Sequence, residues 1–181
     1  MSFSIKSIEN FKDYSTVFKV FENFPFYEKW TEEEIKKEFD LNLANGHIFG
    51  YYENDNCLGF ISMREQIPNE HPVHYKDTSK VVYLSDLAVL PKYRRQGIAN
   101  HLLDYALSTA ISEGYEYAYL RINSKTPMAS DIAKKHGFHK EYDSYEIVSR
   151  PVVNDKLRQK ENFRIFMTKN FSPRASIGKI V

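Results

Sequence analysis

Val81-Val82-Tyr83-Leu84-Ser85-Asp86-Leu87-Ala88-Val89-Leu90 runs directly into Pro91-Lys92-Tyr93-Arg94-Arg95-Gln96-Gly97-Ile98-Ala99-Asn100. The first half is too continuously apolar for a half-exposed strand and opens with β-branched residues, so it predicts a central strand. Pro91, which has no amide to donate, ends it. Beyond the basic turn, Ile98, Leu102, Ala106 and Ala110 form one helical row and Leu103, Leu107 and Ile111 the adjacent one, stopped at Gly114. A strand, a short turn with one glycine and an amphipathic helix together make an anion site at a helix N-terminus, where free amides and the macrodipole point outward. Gly97 lets the backbone approach an anion without a Cβ in the way, and Ala99 nearly does so. Arg94 and Arg95 add forked donors that suit phosphate, so a diphosphate is the expected ligand. The plainer alternative is a tight turn at Gly97 with solvated arginines.

On the N-terminal side, Phe3–Ile8 alternates as a first strand, and Phe11, Tyr14, Val17, Phe18 and Phe21 recur at helical spacing in a segment ending near Pro25. Thr31-Glu32-Glu33-Glu34 is a capping box opening a short helix with Ile35, Phe39 and Leu43 inward, stopped at Asn45-Gly46. His47–Tyr52 and Leu58–Glu65 flank Asn54-Asp55-Asn56 as an antiparallel hairpin, followed by a loop from Pro68 to Lys80. On the C-terminal side, Tyr117–Ile122 predicts a strand and Thr126-Pro127 a helix start with Thr126 as N-cap, ending at His136-Gly137. Phe138–Val148 and Asn162–Thr168 predict two more strands joined by a connection containing Pro151. The order β-α-α-β-β-β-α-β-α-β-β describes one mixed α/β (α+β) domain over residues 1–171, with 172–181 a loose tail.

Composition narrows the function classes. Of 181 residues, 42% are hydrophobic and 13 each are Phe and Tyr, enough apolar area for a sizeable core. Lys plus Arg total 25 against 24 for Asp plus Glu, so no general field attracts nucleic acid. Apart from Arg94-Arg95, only Lys134-Lys135 is locally basic, and no stacking motif accompanies either. Cys57 is alone, which excludes an internal disulfide and a multi-Cys zinc site and suits a reducing compartment. With no basic leader at the N-terminus and no apolar run approaching about 18 residues, the expectation is a cytoplasmic protein without metal or membrane partner.

The diphosphate carrier is narrowed by what is missing: there is no Gly-Lys-Ser/Thr ending of a nucleotide P-loop and no three-glycine dinucleotide fingerprint. Arg94-x-x-Gly97-x-Ala99, preceded by Leu87-Ala88-Val89-x-Pro91-x-Tyr93 and followed by the helix ending His136-Gly137-Phe138, resembles the signature of the GCN5-related N-acetyltransferase (GNAT) superfamily. The likeness is specific from about residue 81 to 138. It implies a mostly antiparallel sheet of six to seven strands with a splayed parallel pair formed by the fourth and fifth, flanked by about four helices.

The resemblance implies acetyl-CoA as cosubstrate and transfer of its acetyl group to a primary amine. The pantetheine arm would lie between the splayed strands against the backbone of Leu87, Ala88 and Val89. Amides of Arg95, Gln96, Gly97, Ala99 and Asn100 would hold the pyrophosphate, with Arg94, Ile98, Asn123 and Thr126 also on the cofactor. A homodimer occurs in many relatives, though no interface is legible here.

Amide formation needs a neutral nitrogen, a polarised carbonyl and a proton route. The resemblance assigns the carbonyl to the Leu87 amide. Asp86, one residue earlier, is the first candidate for the base; its other role would be a capping or paired carboxylate. Ser85 and Tyr83 are expected on the opposite face of the strand, toward substrate, with Glu65 and His74 as weaker candidates. Many relatives carry a proton-donating Tyr four residues before the Gly-Phe pair and an Asn seven residues before that Tyr. Here these positions are Ala133 and Thr126. An unassisted thiolate, with a thiol pKa of about 8.5, is still a tolerable leaving group, and another of the tyrosines can reach the sulfur. The missing Tyr equally admits a non-catalytic acyl-CoA-binding sensor. The acceptor's pocket is expected among the aromatic first helices, the hairpin and the 68–80 loop, with Phe24, Phe26, Tyr27 and Trp30 suggesting a confined, partly apolar site.

Overall fold

The computed structural model describes residues 3–22, 30–65, 77–124, 126–152 and 156–171. The chain runs β1 (Phe3–Ser7), α1 (Phe11–Phe18), α2 (Glu32–Ala44), β2 (Gly46–Glu53), β3 (Asn56–Arg64), β4 (Val81–Val89), α3 (Ile98–Ser112), β5 (Tyr117–Asn123), α4 (Pro127–Lys135), β6 (His139–Val152) and β7 (Lys156–Asn170). The order of strands and helices is the one expected from the sequence. Local chemistry explains the boundaries. Thr31 and Glu34 close a full capping box on α2. Asn54 and Asp55 take the left-handed conformation, φ 48° and 64°, that a two-residue hairpin turn requires.

The strands form one sheet in the order β1-β2-β3-β4-β5-β7-β6, antiparallel at every pairing except β4 with β5. One face carries α3 and α4 over Leu58, Ile61, Val82, Leu84, Ala118, Ile122 and Met167. The other carries α1 and α2, where Tyr14, Val17, Phe18, Ile35 and Phe39 pack on Ile48 and Phe60. Among the described residues, no helix is long and apolar enough to cross a membrane.

Three expectations are corrected. In α2 the inward row is Ile35, Phe39 and Asn42, while Leu43 is 39% exposed. The helix therefore follows the i, i+4, i+7 spacing and turns a polar residue inward. At the end of α3, Ile111 is 55% exposed, because Ala110 takes the last inward position. Pro151 lies within β6, opposite Leu157, rather than in a connection. Its missing amide is tolerated because β6 is an edge strand with one unpaired side. The tail at 172–181 lies outside the described residues.

Asn42 is fully buried because three elements need it. Arg64 Nε donates to its Oδ1 at 2.6 Å, the amide nitrogen donates to the Tyr14 hydroxyl at 3.4 Å, and Ser85 Oγ donates to Oδ1 at 3.4 Å. The Arg64 guanidinium also pairs with Glu38. Asn42→Leu keeps the branched shape but leaves buried donors without an acceptor, so unfolding in urea should show a loss of about 3 kcal/mol at unchanged m-value. An unchanged midpoint would mean that Arg64 and Tyr14 find other partners at no cost.

Candidate active site

The pairing of β4 with β5 extends only over Val81–Leu84 against Tyr117–Leu120, and beyond Leu84 the two strands part. The separation has a local cause. Against β3, Ile61 faces Leu87 while Met63 faces Leu84, so β4 carries one extra residue, a β-bulge at Ser85-Asp86. A bulge increases twist and turns the strand away from its neighbour. The gap opens a cleft of about 380 Å³.

The same bulge inverts the facing of β4. Val82 and Leu84 pack toward α3, and so do Leu87 and Val89 after it. Ala88 packs toward α1 and α2. Asp86 therefore shares a face with Tyr83 and Ala88, and Ser85, whose hydroxyl reaches Asn42 on α2, points the same way. The expectation that Tyr83 and Ser85 oppose Asp86 assumed unbroken alternation and is corrected. Asp86 is 5% exposed in the cleft wall, and its negative charge acts on both Tyr14 and Tyr83. Burial pushes the Tyr83 hydroxyl above the usual phenol range despite the opposing pull of Arg121.

The edge of β4 facing the gap is polar. Leu90 donates across to Leu58 of β3 at 2.9 Å, so by alternation the peptide groups of Val89 and Leu87 face the cleft. Arg94 Nε donates to the Val89 carbonyl at 3.1 Å, which holds that side chain over the strand end.

At the mouth, Arg95 and Gly97 both take the left-handed conformation, with φ 63° and 84°, and Gly97 is the N-cap of α3. The first helical amide to find a carbonyl is that of His101, bonded to Gly97 at 3.1 Å. The amides of Ile98, Ala99 and Asn100 precede any intrahelical acceptor and are free for an anion. A Cβ on Gly97 would meet only His101 Cε1, at 3.9 Å, so the space over the turn is open. Asn100 adds a buried side-chain oxygen without a hydrogen bond among the described residues.

Leu87, Ala88, Val89, Arg94, Arg95, Gly97, Ile98, Ala99, Asn100, Asn123 and Thr126 all line the cleft together with Asp86. Gln96 does not; its amide nitrogen donates to the Lys92 carbonyl at 3.5 Å. Thr126 is the N-cap of α4 by position, but its side chain makes no capping bond. Ala133, at the position where the resemblance leads one to expect a Tyr, is buried at the cleft wall. Glu65 is exposed beyond the end of β3, away from the cleft. Trp30 stacks on Phe18 with centroids 5.6 Å apart, in the core beside α1. His74, Phe24, Phe26, Tyr27 and most of the 68–80 loop lie outside the described residues; Thr78–Lys80 forms a 3₁₀ turn leading into β4. No group of His, Cys, Asp and Glu among the described residues could hold a metal ion.

Fourth and fifth strands that splay apart, with the N-terminus of α3 at the mouth, are the arrangement implied by the sequence signature. The sequence pattern of the Acetyltransferase (GNAT) family matches residues 12–138, more than half the chain. The chain belongs to that family. It shares the GNAT fold with an N-acetyltransferase from Staphylococcus aureus Mu50, at a TM-score of 0.72 and 17% identity over 94% of this chain and 99% of that one. It is similarly close to the ribosomal-protein-S18-alanine N-acetyltransferase from Escherichia coli, at 0.70 and 18% over 98% of each. A curated relative, the chloroplastic GCN5-related N-acetyltransferase 6 of Arabidopsis thaliana, is 29% identical over 66 residues; the match spans 36% of this chain and 23% of the relative.

Several cleft residues escaped sequence reasoning. Val20 and Phe21, in the 3₁₀ turn after α1, close one side, and Arg121 and Arg164, on β5 and β7, another. The available signal was a charged residue amid the apolar alternation of Tyr117–Ile122.

Proposed function

We propose that this chain transfers the acetyl group of acetyl-CoA to a primary amine by direct attack, with residues 1–171 as the catalytic unit. The observation that carries the reading is the open, polar edge of β4 at Leu87 and Val89, ending at a helix N-terminus whose first amides are free. That edge suits an extended pantetheine arm, and the turn at Arg95–Asn100 suits its pyrophosphate. When bound, the thioester supplies an activated acyl carbon.

Asp86 accepts a proton from the acceptor's ammonium, directly or through water, leaving a neutral nucleophile on its face of β4. The Leu87 amide, facing the cleft, donates to the carbonyl oxygen as negative charge develops there. The C–N bond forms, the C–S bond breaks, and the second nitrogen proton ends on the departing sulfur. Tyr83, which lines the cleft and is kept protonated by burial, relays it in place of the missing tyrosine at Ala133, giving its own proton to the sulfur and regaining the one that leaves the nitrogen.

A second reading, acyl-CoA binding without turnover, draws on Ala133. One experiment separates them: calorimetry with CoA, followed by thioester consumption against a panel of amines. Binding with acceptor-dependent CoA release supports the enzyme. Binding without release under any amine leaves the sensor, and no binding removes both.

A further inference from the structure

Beyond Asp86, the α1/α2 face of the sheet carries a second polar feature inside the cleft. In the β5/β7 ladder Arg121 lies opposite Phe166 and Asn123 opposite Arg164, so all four side chains share that face and the two arginines are diagonal neighbours. Diagonal positions sit about 7–8 Å apart at the backbone, well within reach of long side chains. Arg121, Asn123 and Arg164 all line the cleft. Arg121 is held in place: it donates to the Tyr83 hydroxyl, and its guanidinium lies over the Phe166 ring at 5.8 Å. The Arg164 Nε is buried and has no hydrogen-bond partner among the described residues.

Two neighbouring guanidinium groups in a partly desolvated wall repel each other, and a planar anion between them relieves that cost while matching their forked donors. Glu38 is taken by Arg64, and Asp86 sits on β4, two strands from Arg164. Two regular strand spacings amount to about 10 Å and the splay beyond Leu84 adds to that, so an arginine side chain spans only part of the separation. A molecule carrying an amine and an acid group a few bonds apart would bridge the rest.

We propose that Arg164, with Arg121 and Asn123, forms a carboxylate subsite for the acceptor, so that the amine acetylated belongs to a small amino-acid-like molecule. This rests on the acetyltransferase reading above and names its substrate class. Arg164 anchors the acid group and presents the nitrogen to Asp86. The side chain of the acceptor then faces Val20 and Phe21 on the apolar side of the cleft.

The test compares matched pairs, the free proteinogenic amino acids and their carboxamides, as acceptors in thioester consumption by wild type, Arg164→Gln and Arg164→Lys. At least one free acid should exceed its amide by about tenfold or more in kcat/KM, the weight of a charge-assisted bidentate contact. Arg164→Gln should erase that preference through KM for the acid while KM for acetyl-CoA stays the same, and Lys should restore part of it. Melting temperature with N-acetyl amino acids against N-acetyl amides, in the presence of CoA, gives a readout independent of turnover. Amides or carboxyl-blocked peptides reacting as well as free acids, an intact preference in Arg164→Gln, or a panel in which no free acid reacts would each overturn the subsite. If CoA binds normally in that case, only the subsite falls. Absence of CoA binding removes the acetyltransferase reading and the subsite with it.

Discussion

Gly97→Glu should weaken CoA binding by about a hundredfold or more, whereas Gly97→Ala should leave it within about threefold, because the two replacements load different terms. Any side chain at φ 84° is strained by about 1–2 kcal/mol, but that strain is present with and without ligand. It therefore lowers the melting temperature and cancels from the dissociation constant. The methyl group of alanine meets only His101 at 3.9 Å and obstructs little. Glutamate adds bulk over the free amides of the first turn of α3 and a negative charge beside the phosphates, costing about 3 kcal/mol at an effective dielectric of 20. Gly97→Gln isolates the bulk. Calorimetry on the three variants should give a common loss of thermal stability with dissociation constants rising from Ala to Gln to Glu. Glutamate binding with near-normal affinity would place the pyrophosphate elsewhere.

The features that the sequence exposed are those set by short-range chemistry. Gly97, Pro91, the Thr31–Glu34 box and the Asn54-Asp55 turn act within a few residues of themselves, and each appears where local rules put it. The central strand and α3 were legible because both bury a long uninterrupted apolar pattern. What stayed hidden depends on register between distant segments. The bulge at Ser85-Asp86 exists only relative to β3, and nothing within Val81–Leu90 announces that β4 carries a residue more than its partner needs. That single residue decides which face Asp86, Ser85 and Tyr83 share. Asn42 was hidden for a related reason: helical periodicity favours Leu43, but the acceptor that Arg64 requires comes from 22 residues away. Arg121 and Arg164 become neighbours only when β7 inserts between β5 and β6, a topology that strand order along the chain does not reveal.

Asp86→Asn should lower kcat by about 10²–10³ while CoA affinity moves by less than about threefold, the range that removal of a general base produces. The geometry makes this test unusually clean. Asp86 faces the α1/α2 side with Tyr83, whereas the edge expected to hold CoA is formed by the peptide groups of Leu87 and Val89. Asparagine keeps an acceptor oxygen and the size of the side chain, so the bulge and its neighbours have no reason to rearrange, and the melting temperature serves as the control. What is lost is the negative charge and, with it, the capacity to take a proton. In the wild type kcat/KM should rise with pH as the base, or the acceptor ammonium it serves, gives up its proton. In the variant the limb belonging to Asp86 should vanish, leaving only the acceptor's own titration, so that high pH rescues part of the rate. A variant that loses rate yet keeps the whole wild-type pH profile would make Asp86 a positioning residue, with its charge ordering Tyr14 and Tyr83 rather than receiving a proton. A variant with unaltered rate would shift the search for the base to a water held by the Ser85–Asn42 pair, the other polar group that the bulge turns toward the acceptor side.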